Sequence, residues 1–551
     1  MVEARGEEYV TDVPYVRAFV GDLSPLTLRL VAALNGFPPP AADDFAYCEL
    51  GCAHGDTTAT LAAAYPRARF FGVDINPRHI ASANRLAFEG KLENIRFLEK
   101  DFEDLARGEN EDLPALDFVT AHGVLSWVGP AKRKALLDLA SARLKRGGLL
   151  YVGYNALPGW ASVEPLRQLM LDRGAAVGGS SLERAREGIA FAKILRDGGA
   201  AYFRGNPAAG EMLTTMERSG LAYVVHEYLH AHWVPMYFSQ VAAEMAESDL
   251  YFVGQLPLHL NYRDLAVPAS LANVFNSVTD RLSFETLKDY ATNQFFRRDV
   301  FIKGRVARDE AAATRFLEAT PFGTLTREGP AVREVQLPHH TLHFAGPIYD
   351  ALLPLLANAA TAVEELAWTS ALAPFGPACV REAIVRLALA GQAAPTIEST
   401  TPVQPASTRL RIPSAYNRMM LAEAGVGNAP IGRRADSTPA LSPFESIVLA
   451  SSVAGTGIPL PRLDAVALQL LTEVAEADWP AWIAAFVQQK EVRLTAGGQV
   501  IEDNAERSRI VRAQVETFRA ERLPRLIELG IVFDEAARLD GVDEGSLRAP
   551  K

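Results

Sequence analysis

Apolar runs within residues 47–55, 69–76, 94–102 and 116–128 alternate with stretches whose apolar positions recur at helical spacing. Short apolar runs separated by helical patterns predict βα units, and hence an open, mostly parallel, doubly wound sheet. A fifth strand follows the Lys-Arg-Gly-Gly turn at 145–148 and runs into 151–160. A helical leader over 1–35 precedes, broken by Gly-Phe-Pro-Pro-Pro at 36–40, and residues 174–181 mark a loop before a packing helix over 181–195. Residues 248–255 read as a strand returning to the core, and 289–299 as a helix with a charged, solvated end. Beyond Leu342 the pattern is helix, turn, helix to Pro395, then a linker over 394–408 and a mostly helical remainder, with no internal repeat.

The first run enters Tyr-Cys-Glu-Leu-Gly-Cys-Ala-His-Gly. Gly51 and Gly55 are spaced for a tight turn at positive φ with no side chain between backbone and ligand, and a helix over Asp56–Ala64 would aim its free N–H groups at that ligand. Asp74, at the end of the second strand, can accept two ribose hydroxyls. Asp101 and Phe102, ending the third, offer a carboxylate and an aromatic face to an adenine. The fourth runs into a loop with His122, Ser126 and Trp127. All four marks lie where ligands bind such sheets, at the carboxyl ends of the strands.

This series resembles the class I S-adenosylmethionine-dependent methyltransferases more than the nicotinamide dehydrogenases. The loop is Gly51-x-Ala53-x-Gly55, without the Gly-x-Gly-x-x-Gly spacing for a pyrophosphate, and Glu49 just before it suits a ligand carrying an ammonium. Residues 121–128, 151–160 and 226–229, with the leader Thr-Asp-Val-Pro-Tyr at 11–15 and the tail Pro-Ser-Ala-Tyr-Asn-Arg at 413–418, narrow the resemblance to bacterial protein lysine methyltransferases with a methyltransferase regulatory domain. The leader departs from that pattern at Asp22-Leu23-Ser24-Pro25.

The resemblance implies a Rossmann-like methyltransferase sheet, a mixed regulatory or lid region, and a mostly α C-terminal half with a winged-helix-like module. The corresponding divisions are a leader over 1–40, the cofactor domain over 41–172, a helical insert and regulatory domain over 173–310, the winged-helix-like domain over 311–400, and a helical domain over 401–551. It implies S-adenosylmethionine as cofactor, held by Tyr15, Glu49, Gly51, Cys52, Ala53, Gly55, Asp74, Ile75, Asp101, Phe102, His122 and Gly123. The acceptor side falls to Tyr154, Asn155, Trp160, His122 and Trp127. Trp127 and Trp160 could equally close the sheet edge by packing. Asn155 is more telling, because a buried amide carbonyl can orient an amine. The segment 223–238, dense in histidine and aromatics, reads as a lid over the acceptor or as a partly buried domain junction.

A chain of 551 residues with 49% hydrophobic residues can bury several cores. Its net charge of −11 disfavours nucleic acid and anionic membranes, and the helix around Cys379–Leu389 carries few basic residues for DNA. Three cysteines make no disulfide framework. Cys48, Cys52 and His54 lie close in sequence, but Cys48 falls in a strand without a second ligand cluster, so no metal site is expected. No apolar window is long enough to span a bilayer and no signal peptide is evident, which predicts a cytoplasmic protein. A homodimer is compatible with the sequence, although no motif encodes an oligomeric state. The reading reached is a protein lysine N-methyltransferase whose C-terminal half selects a protein substrate. The alternatives are a methyltransferase acting on a small molecule or natural-product peptide, and a non-catalytic cofactor-binding interaction protein.

Overall fold

A computed structural model describes residues 12–13, 17–40, 44–107, 113–230, 232–324, 332–402, 410–424, 446–488, 494–496 and 499–534. At its centre is a seven-stranded sheet of order β3-β2-β1-β4-β5-β7-β6. Its strands are β1 (Ala46–Leu50), β2 (Arg69–Asp74), β3 (Ile95–Glu99), β4 (Leu116–His122), β5 (Leu144–Asn155), β6 (Leu250–Leu256) and β7 (Phe296–Lys303). β1 to β5 run parallel, whereas β7 pairs antiparallel with both β5 and β6. The central strands are buried on both faces, which is why they read as continuous apolar runs rather than alternating ones.

The described part of the leader holds a 3-10 turn at Gly21–Leu23 and α1 (Pro25–Leu34), and residues 17–20 are irregular, so the expected continuous leader helix is shortened. Helices α2 (Asp56–Ala64), α3 (Pro77–Glu89), α4 (Phe102–Ala106) and α5 (Pro130–Arg143) connect the parallel strands. α3 starts where Asn76 accepts from the Arg78 N–H with Pro77 at the first helical position, and Asp101 caps α4 by accepting from Glu103 N. The Lys-Arg-Gly-Gly turn is instead the start of β5, next to an irregular register between Leu116 and Phe118.

Between β5 and β6 lie α6 (Glu164–Val177), α7 (Ser181–Asp197), α8 (Ala201–Gly205), α9 (Pro207–Arg218), α10 (Leu221–Tyr228) and α11 (Phe238–Glu247). The loop expected at 174–181 narrows to residues 178–180, because α6 continues through Gly174 and a Ser180/Glu183 capping box starts α7. β6 and β7 return from this region to complete the sheet, so the segment expected to be regulatory supplies two of its strands.

The charged end expected to be solvated at 289–299 is buried. Arg297 and Asp299 are fully enclosed, and Arg297 pairs with Asp299 (2.9 Å), Asp289 (2.5 Å) and Glu285 (3.0 Å). Lys288 adds a second cation against Glu285 at 2.5 Å. Charges leave water only when compensated, and here the opposite charges come from the Arg281–Thr292 helix and β7 together, a pairing that sequence spacing does not show.

Residues 310–400 combine helices Glu310–Ala319, Pro347–Asn358 and Pro377–Leu389 with two- and three-residue antiparallel strands. Two arginines of the last helix are paired within the chain, Arg381 with Glu318 and Arg386 with Asp264 at 2.8 Å. The C-terminal region is mostly helical but also holds an unanticipated hairpin, Ser446–Ser451 with Thr456–Pro461. This region docks on α2: Tyr416 Oη and Thr60 Oγ1 lie 2.8 Å apart, Ser24 Oγ donates to Gly455 O at 2.8 Å, and one apolar core runs from Phe45 and Tyr47 through to Leu468 and Phe518. Asn417, beside Tyr416, ties to both N–H and C=O of Ala450. The tail motif thus fastens the C-terminal half to the helix that follows the glycine loop.

Candidate active site

Gly51 and Gly55 both adopt φ +76°. A Cβ at Gly51 would stand 2.6 Å from Val124 Cγ2, and one at Gly55 2.6 Å from the Phe97 ring, so conformation and space both require glycine. The loop is anchored to β2 by Gly51 N and Cys52 N donating to Val73 O (2.8 and 3.0 Å). Asp74 also holds it, accepting from Ala53 N at 2.9 Å, while its other oxygen accepts from Asn76 N (2.8 Å) and lies 3.2 Å from His79 Nδ1. Carboxylate oxygens have spare lone pairs, so these bonds orient Asp74 without saturating it. Asp101 accepts from Lys132 Nζ at 2.6 Å. Ile75 and Phe102 are half-buried at the ends of β2 and β3.

Glu49 is buried and accepts from the Thr58 hydroxyl. Burial pushes its carboxyl up to about 8; the Thr58 bond opposes this and the nearby Asp56 and Asp74 charges reinforce it. Such a group ionises readily only when a cation arrives beside it. Arg17 of the leader reaches Asp56 at 2.6 Å, and Val20 N donates to Thr57 Oγ1 at 3.0 Å, so the leader crosses the start of α2. Asp22, at the point where the leader departs from the family pattern, pairs with Arg298 of β7. Tyr15 lies outside the described residues.

At the end of β4, His122 Nδ1 lies 2.8 Å from Tyr151 Oη, and Phe296 meets the ring edge-on. Burial pushes this imidazole down to about 4, so it is neutral at ordinary pH. Gly153 allows the arrangement, since its Cβ would stand 2.9 Å from His122 Nδ1. Gly123, at φ +65°, turns the chain away.

Asn155 ends β5, 5% exposed. Its backbone N donates to Ser126 Oγ at 2.8 Å, but its side-chain amide has no hydrogen-bond partner among the described residues. Successive strand residues face opposite sides, so Asn155 shares the face of Tyr151 and Gly153 whereas Tyr154 points the other way. Tyr154 is fully buried and donates to Asp299 Oδ2 at 2.6 Å. The expectation that Tyr154 joins Asn155 at the acceptor is therefore corrected: its hydroxyl is committed to the buried charge cluster.

Trp127 and Trp160 lie in an aromatic layer with Trp233 and Tyr228. Trp127 Nε1 donates to His226 O at 3.1 Å, and Trp160 meets Trp233 edge-on at 4.8 Å between centroids. Trp233 is brought over the strand ends because Val234 N donates to Ser126 O and Met236 N to Asn155 O. The segment read as a lid or partly buried junction is thus a partly buried cover, and His226 also reaches Val13 O of the leader at 2.8 Å. Sequence reasoning missed Lys132, Phe296 and Arg167, none of which carries a local motif.

The structure therefore gathers Glu49, the glycine loop, Asp74, Ile75, Asp101, Phe102, His122, Gly123 and Asn155 at the carboxyl ends of the parallel strands. The glycine cradle and the carboxylates fit an adenosine carrying an ammonium. No group of potential metal ligands exists among the described residues.

Comparison with known proteins agrees. Residues 48–150 match the family model described as "Methyltransferase domain", and residues 221–303 the "Predicted methyltransferase regulatory domain". An uncharacterized protein of Synechocystis sp. is 30% identical over 527 residues, covering 95% of this chain and 99% of its own length. A trans-aconitate 2-methyltransferase of Methylobacterium nodulans is 32% identical over 113 residues, 20% of this chain and 39% of that protein. Among solved structures, PKMT2 from Rickettsia typhi in complex with AdoHcy superposes with a TM-score of 0.71 at 18% identity, over 94% of this chain and 100% of that one, and so shares its fold. The chain belongs to the S-adenosylmethionine-dependent methyltransferases that carry a methyltransferase regulatory domain.

Proposed function

We propose that this enzyme is a protein lysine N-methyltransferase, with Asn155 orienting the acceptor amine and the C-terminal half selecting the protein. The observation that carries the reading is the Asn155 amide at the end of β5, without a hydrogen-bond partner among the described residues, on the His122 face and tied through its backbone to the segment that carries Trp233. Bound S-adenosylmethionine supplies a methyl carbon on a sulfonium. The amine lone pair would form the N–C bond as the C–S bond breaks, leaving S-adenosylhomocysteine and an N-methylammonium whose proton passes to bulk water.

A lysine amine has a reference pKa of about 10.4 and attacks only when neutral. His122, held down to about 4, binds a proton far too weakly to be the base. The amine must therefore arrive neutral, which desolvation among Trp127, Trp160 and Phe296 favours. The Asn155 carbonyl accepts an N–H and turns the lone pair to the methyl carbon, and such orientation recovers several kcal/mol of barrier. Glu49 meets the cofactor ammonium, Asp74 the ribose, and Asp101 with Ile75 and Phe102 the adenine; Tyr15 is retained as a contact of the leader. Tyr154 positions Asn155 from behind.

A net charge of −11 supports a protein acceptor over a nucleic acid, and a cytoplasmic setting belongs to the same reading. No described helix is long and apolar enough to cross a membrane. A small-molecule acceptor is the second reading, supported by the likeness to trans-aconitate 2-methyltransferase, although that spans only a fifth of the chain. Transfer of labelled methyl from S-adenosylmethionine into a lysate of the source organism, with site mapping, tests both. Label on lysines of discrete proteins is expected; label confined to small molecules would replace the first reading by the second.

A further inference from the structure

Arg167 on α6 exposes only 4% of its surface, yet no carboxylate stands within ion-pair distance among the described residues. Glu164, one turn earlier, acts on it only through space. Its Nη2 donates to His230 O and its guanidinium lies 4.7 Å from the centre of the Trp233 ring. Its Nε has no hydrogen-bond partner among the described residues. Three further polar atoms nearby are buried and without a partner among the described residues: Trp233 Nε1, Trp160 Nε1 and His230 Nδ1. Both tryptophans are 6% exposed.

Buried N–H groups are almost always paired, and an uncompensated buried cation is costlier still. Four orphans in one layer, three of them obligate donors, define a place for an acceptor, and the unbalanced charge selects an anion. Planar guanidinium suits a carboxylate in particular. The layer is continuous with the acceptor end of the sheet, since the residues that follow Trp233 bond to the strand ends, Val234 N donating to Ser126 O and Met236 N to Asn155 O.

We propose that Arg167, Trp160, Trp233 and His230 form a carboxylate-recognition subsite that reads an aspartate or glutamate close to the target lysine in the protein substrate. The inference rests on the lysine reading and deepens it. A substrate carboxylate would compensate Arg167 and fill the orphan donors, while the aromatic faces exclude competing water. Substrate docking and amine placement are then coupled, because the segment that carries Trp233 also bonds to the backbone of Asn155.

The test is methyl transfer by the full-length enzyme into a lysate of the source organism, comparing wild type with Arg167→Met and with Trp233→Phe, which keeps the ring system's packing but removes the N–H. Cofactor affinity of each is measured in parallel. Mapped lysines should carry an acidic residue at a fixed offset, and changing that residue to its amide in a mapped substrate should raise KM about tenfold or more with kcat little changed. Both variants should lose the preference while binding cofactor normally. Labelled lysines without acidic neighbours would overturn the subsite and leave the lysine reading standing. A preference that survives both substitutions would assign the orphan groups to buried water only and overturn the proposal. If Arg167→Met fails to fold, Trp233→Phe decides. Label on no lysine would overturn the lysine reading and this inference with it.

Discussion

Glu49 offers the sharpest test of the cofactor site. Burial holds its carboxyl up to about 8 in the free enzyme, so at neutral pH it is mostly protonated. An ammonium binds the carboxylate, not the acid, and binding below that value must therefore release a proton. The cofactor's own α-amino group has a reference pKa of about 7.7–8.0 and is cationic below it. Affinity should rise about tenfold between about pH 5.5 and 6.5, reach a maximum close to pH 8, and fall above it as the ligand loses its charge. At about pH 6.5 the ionisation of Glu49 costs roughly 2 kcal/mol, or about 30-fold in affinity. The assay is isothermal calorimetry with S-adenosylhomocysteine in two buffers of different ionisation enthalpy, which counts protons: about one released per ligand near pH 6.5. Glu49→Gln should bind more weakly at the optimum, release about none, and keep only the fall above pH 8. A flat wild-type profile below pH 7, or an unchanged slope in the variant, would refute the pairing of Glu49 with the ammonium. Folding stability depends on pH in the opposite direction: a carboxyl raised on folding contributes stability that is fully present below its unfolded value of 4.5 and is lost as pH rises through about 8. The ligand-free enzyme should therefore melt lower at pH 8.5 than at pH 6.5 through this group, and Glu49→Gln should reduce that difference.

Three further outcomes follow from the same geometry. Asn155→Ala should lower kcat by about tenfold to a hundredfold, the value of one orienting hydrogen bond, while leaving cofactor affinity within about twofold; unchanged turnover removes Asn155 from the site. Gly51→Ala forces a side chain into φ +76° and against Val124, so cofactor affinity should fall by at least about tenfold and stability by about 1–2 kcal/mol, read by titration and chemical denaturation. Arg297→Leu would leave Glu285, Asp289 and Asp299 buried with Lys288 as their main counter-charge, and should destabilise by about 3–5 kcal/mol; a denaturation midpoint equal to wild type would show that the cluster is not holding β7 to the Arg281–Thr292 helix.

What the sequence determined by itself is what depends on neighbours along the chain. The glycine loop, the helix Asp56–Ala64 and the acidic strand ends were legible because positive φ, helix initiation and buried parallel strands each leave local marks. The opposite facing of Tyr154 and Asn155 was also available, since strand alternation alone separates them once β5 is recognised. Tertiary structure decided what depends on partners far away. The end of the Arg281–Thr292 helix and β7 reads as a solvated charged stretch until Arg297 meets three carboxylates, one of which also accepts from Tyr154 of β5. Arg167 carries no motif, and its significance comes from the absence of a counter-ion among the described residues in a layer closed by Trp233 from a different segment. Docking of the C-terminal half through Tyr416 onto Thr60 joins positions 356 residues apart. Periodicity reports which face of an element is buried, and only the folded chain determines what that face is buried against.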